Sequence, residues 1–180
     1  MEHLRAYLLV AVAFAFPGQS HARGAIETTG DVLSLMPAYV MVSSLLLEDE
    51  GGCVQLGIAA LTTFSVTTAL KYAVGKPRPT QMPWERGTSF PSGHTSSAFV
   101  GAAYVHRRYG ILPSLPVYAA SAFVAYSRVY AKKHYWVDVV AGAALGMFLG
   151  HLFARPYEPP FSLVVGADTK SVTASIHLRF

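Results

Sequence analysis

Five stretches of this chain, 32–47, 51–70, 93–105, 111–127 and 139–154, contain no Asp, Glu, Lys or Arg at all. Each is thirteen residues or longer, too long for ordinary strands and long enough for helices of several turns. Hydrophobic residues make up 52% of the chain and charged residues 13%, against about 25% charged in a soluble domain. The expected fold is therefore all-α, an up-and-down bundle of about five helices embedded in a membrane. Two of the stretches approach the roughly 20 residues that span a bilayer, and the others need tilt or company. A soluble bundle with an apolar surface is the alternative. Asp31, just ahead of the first stretch, is placed as its N-cap.

The two ends differ from the middle. Arg5 precedes a short apolar run over 6–16, broken by Pro17 and Gly18 and followed by Ser20-His21-Ala22. This pattern predicts a signal peptide over 1–22, with an uncleaved anchor as the competing reading. After Pro156, Pro159 and Pro160, apolar and polar residues alternate over 171–180, the period of a half-buried strand. The tail over 161–180 is expected to form a β-hairpin, turning at Asp168-Thr169-Lys170. The helical domain between them covers 23–160.

Charge is sparse but gathered. Lys71, Lys76, Arg78, Arg86, Arg128, Lys132 and Lys133 are half of the 14 cations, and they fall in two short segments. Interleaving with apolar helices excludes a nucleic-acid footprint and suits a compact anion. The lone Cys53 excludes an intrachain disulfide. No Cys/His cluster or pair of acids suggests a metal site.

Three polar clusters sit at the edges of the apolar stretches. The first is Lys71 with Arg78-Pro79, the second Pro91-Ser92-Gly93-His94, and the third Ser127-Arg128 followed by His134 and Asp138. Cations beside a helix end, or Ser-Gly after proline, are common as cap features. A helix start also offers free N–H groups to a phosphate, and arginine offers a bidentate fork. On one helix face, His134 and Asp138 would stand one turn apart, so the carboxylate could orient the imidazole; a capping pair has the same spacing. In an up-and-down bundle all three clusters lie at one end. Glu48–Gly52, Arg107, Arg108 and Arg155 collect at the other.

Taken together, Lys71-x6-Arg78-Pro79, Pro91-Ser92-Gly93-His94 and Ser127-Arg128-x5-His134-x3-Asp138 closely resemble the three-part signature of the type 2 phosphatidic acid phosphatase superfamily. That superfamily includes class A acid phosphatases and vanadium haloperoxidases; the bacterial lipid phosphatases are the nearest match in character. The resemblance covers about residues 65–155. It implies that Lys71, Arg78 and Arg128 hold phosphate oxygens, with Ser92 and the Gly93 N–H. His134 would attack phosphorus and form a phosphohistidine, Asp138 would orient it, and His94 would protonate the leaving oxygen. No metal or other cofactor is implied. The implied substrate is a phosphorylated lipid or polyprenyl diphosphate in a membrane; a soluble periplasmic acid phosphatase and a vanadate haloperoxidase are the alternatives.

Trp84, Tyr135 and Trp136 suit an interfacial belt or plain packing, and Lys76, Arg86, Lys132 and Lys133 a positive funnel or solvated charge. His151 reads as structural. Whether 1–22 is cleaved or retained, the parity of the helices directs the clustered end to the periplasm from a bacterial inner membrane.

Overall fold

The computed structural model describes residues 22–157, apart from the side chains of Ala22 and Arg23, and the backbone of 161–168 and 171–178. The expected signal segment lies outside the described residues. Six helices occur among those described: α1 (Ala22–Leu33), α2 (Met36–Leu46), α3 (Glu50–Val74), α4 (Gly93–Tyr109), α5 (Ile111–Tyr130) and α6 (Trp136–Phe153).

The expected count of five changes at the first stretch, which is two helices meeting at a 44° bend. Pro37 opens α2 at its first turn. It has no N–H to donate to Leu33, and its ring would strike that carbonyl, so α1 cannot run through. The chain also becomes helical earlier than the apolar run suggests. Asp31 consequently lies inside α1 rather than capping a helix start, and its carboxylate is free for another use. Asp49 is the residue that does cap, accepting from Gly52 N at 2.9 Å and starting α3.

The 25 residues of α3 extend about 37 Å, more than the roughly 30 Å hydrocarbon thickness. Among the described residues, α3 and α6 are each long and apolar enough to cross a membrane, and α1 with α2 qualify only as a bent pair. Leu61, Phe64, Val140 and Phe148 are each more than 60% exposed on the flanks of these helices. Rows of this kind suit lipid better than water.

At the centre runs α4, most of whose residues through Val105 are buried. It packs against α6 through a row of glycines. A Cβ at Gly142 would lie 2.6 Å from Ser92 O, and one at Gly146 2.4 Å from Ser96 O. Small residues thus let the two backbones approach, as membrane helices commonly do. Leu56, Ala98, Ala102, Val117 and Val124 fill the core on the other side.

Beyond residue 160, the backbone of β1 (Phe161–Asp168) and β2 (Ser171–Leu178) is paired antiparallel, Asp168 opposite Ser171. Their side chains lie outside the described residues.

Candidate active site

A cleft of about 340 Å³ opens where α3 ends and α4 begins, lined by Lys71, Arg78, Gly93, His94 and His134 among others. The three clusters therefore meet, through four different segments. Lys71, in the last turn of α3, donates to Thr88 O and Pro91 O, both at 2.7 Å. It ties the loop between α3 and α4 back over the cleft. Arg78 stands on that loop, braced by its own N–H donating to Gln81 Oε1 at 2.8 Å. The start of α4 carries no side-chain cap, so its first N–H groups keep their unpaired, partly positive character.

Ser92, Arg128 and Asp138 stand behind this lining, each with no exposed surface. Ser92 N donates to Asp138 O at 2.9 Å, fixing the start of α4 to the first turn of α6. Ser92 Oγ accepts from Thr95 Oγ1 at 2.9 Å. Arg128 is held by α1: it donates to Asp31 Oδ1, and to Glu27 O at 2.7 Å.

The geometry of His134 corrects the sequence reading. The residue precedes α6 instead of sharing a helix face with Asp138, and its Nδ1 is 3.8 Å from Asp138 Oδ2, outside hydrogen-bond range. Nδ1 instead lies 2.8 Å from Ser89 O. A carbonyl can only accept, so Nδ1 carries the proton and Nε2 the lone pair. Burial, then the nearby charge of Lys71, pushes the His134 pKa down to about 4, against the Ser89 bond and the Asp138 charge that favour protonation. The imidazole is accordingly neutral and pre-oriented.

Asp138 acts on that arrangement at one remove. It accepts from Ser89 Oγ at 2.6 Å, from Lys76 Nζ at 2.6 Å and from Tyr135 N at 3.0 Å. The last bond caps α6, so the capping reading and the orienting reading of this aspartate describe one residue. Ser89 and Lys76 are the parts that sequence reasoning missed or misplaced. Lys76 is not a solvated funnel charge: it is bound to a fully buried carboxylate and lies 4.4 Å from the Tyr135 ring centroid. Ser89 had one signal, its place two residues before Pro91.

The remaining candidates scatter. Lys133 pairs with Glu27, and Arg86 donates to Tyr72 O at 3.4 Å. Trp84 and Trp136 are 80% and 61% exposed, as an interfacial belt requires. His151, at the far end, bonds Met147 O at 3.0 Å.

A family profile described as the PAP2 superfamily matches residues 52–159. The lipid A 4'-phosphatase of Helicobacter pylori is 33% identical over 174 residues, spanning 88% of this chain and 86% of that protein. The lipid A 1-phosphatase of Porphyromonas gingivalis is 35% identical over 100 residues, 54% of this chain and 21% of the other. Among solved structures, Aquifex aeolicus LpxE superposes with a TM-score of 0.62 at 20% identity, covering 82% of this chain and 92% of that one. At that identity the likeness concerns the fold.

Proposed function

The chain belongs to the PAP2 superfamily and is a phosphomonoester hydrolase of the lipid phosphatase kind, and on that footing we propose that it removes a phosphate from lipid A through a phosphohistidine on His134. The observation that carries this reading is the tautomer of His134, with Nδ1–H on Ser89 O and the lone pair left on Nε2. In the first step Nε2 bonds to phosphorus while the bond to the sugar oxygen breaks, and His94 gives that oxygen a proton. In the second, water loses a proton to His94 and attacks phosphorus, and the N–P bond breaks to release orthophosphate. Lys71, Arg78, Arg128, Ser92 and the Gly93 N–H would bear the charge gathering on the equatorial oxygens, a task that metal ions perform in other phosphatases. Ser89 and Lys76 support Asp138, and through it His134.

The 4'-phosphate is the favoured position because the relative named for it aligns along most of both chains. The same reading places the site on the periplasmic face of a bacterial inner membrane. Parity supports this; the charges at the opposite end are mixed, with Arg107, Arg108 and Arg155 beside Glu48, Asp49 and Glu50. It also keeps 1–22 as a leader or anchor and 161–180 as an appended hairpin.

The test is phosphate release by detergent-purified protein from lipid A phosphorylated at either position, phosphatidate, phosphatidylglycerophosphate, polyprenyl diphosphate and a soluble ester. Lipid A with a 4'-phosphate should turn over fastest, with chelator present and with vanadate inhibiting. A soluble ester outpacing every lipid would return the assignment to a broad acid phosphatase. For sidedness, a cysteine replacing Thr88 in a Cys53→Ser background should react with an impermeant maleimide in intact spheroplasts. Reaction only after lysis would put the chemistry on the other face.

A further inference from the structure

At Gly30, α1 meets α5 more closely than a residue with a Cβ would allow. A Cβ on Gly30 would lie 2.0 Å from Ser127 Oγ and 2.6 Å from Arg128 Nη2, so α1 reaches this depth only because residue 30 has no side chain. The next residue is Asp31. Its Oδ1 accepts from Arg128 Nη1 at 2.5 Å and stands 3.1 Å from His94 Nε2. One anionic oxygen thus bridges the guanidinium and the imidazole. These are two of the groups to which the proposed reaction gives the phosphate and its leaving oxygen. The Arg128 side chain is completely buried, whereas that of Asp31 is 42% exposed. The carboxylate therefore plugs a buried cation from the outer side and has room to rotate away.

We infer that Asp31 is the internal occupant of the phosphate seat: its carboxylate stands in for a phosphoryl oxygen, substrate displaces it, and it returns to expel product phosphate. The inference rests on the proposed phosphatase reading. Two anions cannot share one fork at this distance without strong repulsion, and Arg128 is otherwise occupied by Ser127 Oγ at 3.1 Å and Glu27 O at 2.7 Å. The carboxylate keeps the guanidinium paired while the seat is empty, avoiding the cost of a lone buried charge. It equally weakens the hold on any anion bound in the ground state, including the orthophosphate formed in each turnover. Asp31 is on this account an affinity-setting residue.

The experiment measures inhibition by orthophosphate and by orthovanadate, with KM for the lipid, on full-length protein in detergent. Wild type is compared with Asp31→Asn, Asp31→Ser and Glu27→Gln. Both Asp31 variants should bind the two anions about tenfold tighter or more and lower KM, since a competing charge is gone. Glu27→Gln removes a carboxylate that pairs with Lys133 instead, and should change inhibition by about twofold at most. Two Asp31 replacements are used so that one folding failure does not decide the matter. Unchanged or weaker anion binding in the folded Asp31 variants would overturn the inference while leaving the phosphatase reading intact. So would equal tightening in Glu27→Gln, which would indicate a general field effect. Wild-type protein insensitive to both anions would remove the inference and the reading together.

Discussion

Each end of the bundle buries an arginine against an aspartate, and the two pairs are built differently. At the end away from the cleft, Arg108 grips Asp49 with two nitrogens, Tyr109 Oη adds a bond at 2.7 Å, and Gly52 N adds another at 2.9 Å. Burial alone would raise the Asp49 pKa, but these bonds outweigh it and hold the carboxyl below its usual range. Arg108 also donates to Arg155 O at 3.0 Å, closing the chain after α6 onto α4. Every lone pair in reach is taken, and Asp49 is only 4% exposed. At the cleft end, Arg128 is even more deeply buried, yet its carboxylate partner sits half in the open and is shared with a histidine. A saturated pair is a fastener, and an unsaturated one is a place where something can be exchanged. Burial of the arginine does not separate the two cases; the aspartate does.

Four expectations would break or sharpen that contrast. The largest effect belongs to His134→Ala. It should lower turnover by at least about a thousandfold and abolish acid-labile phosphorylation of the protein, with the melting temperature little changed; preserved turnover would refute the nucleophile. Asp49→Ala should do the reverse, leaving Arg108 buried without a partner and costing about 3–5 kcal/mol of stability. Denaturation in detergent would show it, while the folded fraction keeps its KM. Arg128→Lys should lose about a hundredfold in kcat/KM, because a point charge cannot reproduce a bidentate fork. Near-normal activity there would make the cleft end another fastener.

The smallest effect concerns pH. With the His134 pKa pushed down to about 4, this group should set its acid limb in kcat/KM near pH 4, not near the 6.5 of a free imidazole. Stability carries the same sign. As pH falls below about 6.5 the unfolded chain takes up the proton first, so the contribution of the neutral ring is complete above that value and is lost as pH falls through about 4. Lys71→Met removes the positive charge that, after burial, most depresses the imidazole, and should move the limb upward, a shift that a pH–rate profile resolves.

Much of this site could be read from the chain because its chemistry depends on residue type and local spacing. Lys71 and Arg78 flank one helix end, Ser92 and His94 open another, and alternation of helices alone puts them together. What spacing could not show was the bonding across the site. His134 meets Ser89 across 45 positions, Lys76 meets Asp138 across 62, and Arg128 meets Asp31 across 97. Asp31 misled for a specific reason: an acid before an apolar run looks like a cap, and the run carries no charge to mark the break that Pro37 makes inside it. His134 and Asp138 misled similarly, since a four-residue interval says one helical turn only if the helix already includes both.

The cleft also has a direction. Besides the histidines its lining includes Thr63, Thr67 and Val100, and also Phe64 and Leu35, which are 69% and 56% exposed. A substrate that lives in the bilayer can therefore arrive sideways, by lateral diffusion, without ever becoming a solute. For such a reaction the relevant concentration is the mole fraction of lipid in the surface. Added detergent then acts as a diluent: the same amount of substrate in more micelle gives slower turnover, though nothing in the protein has changed.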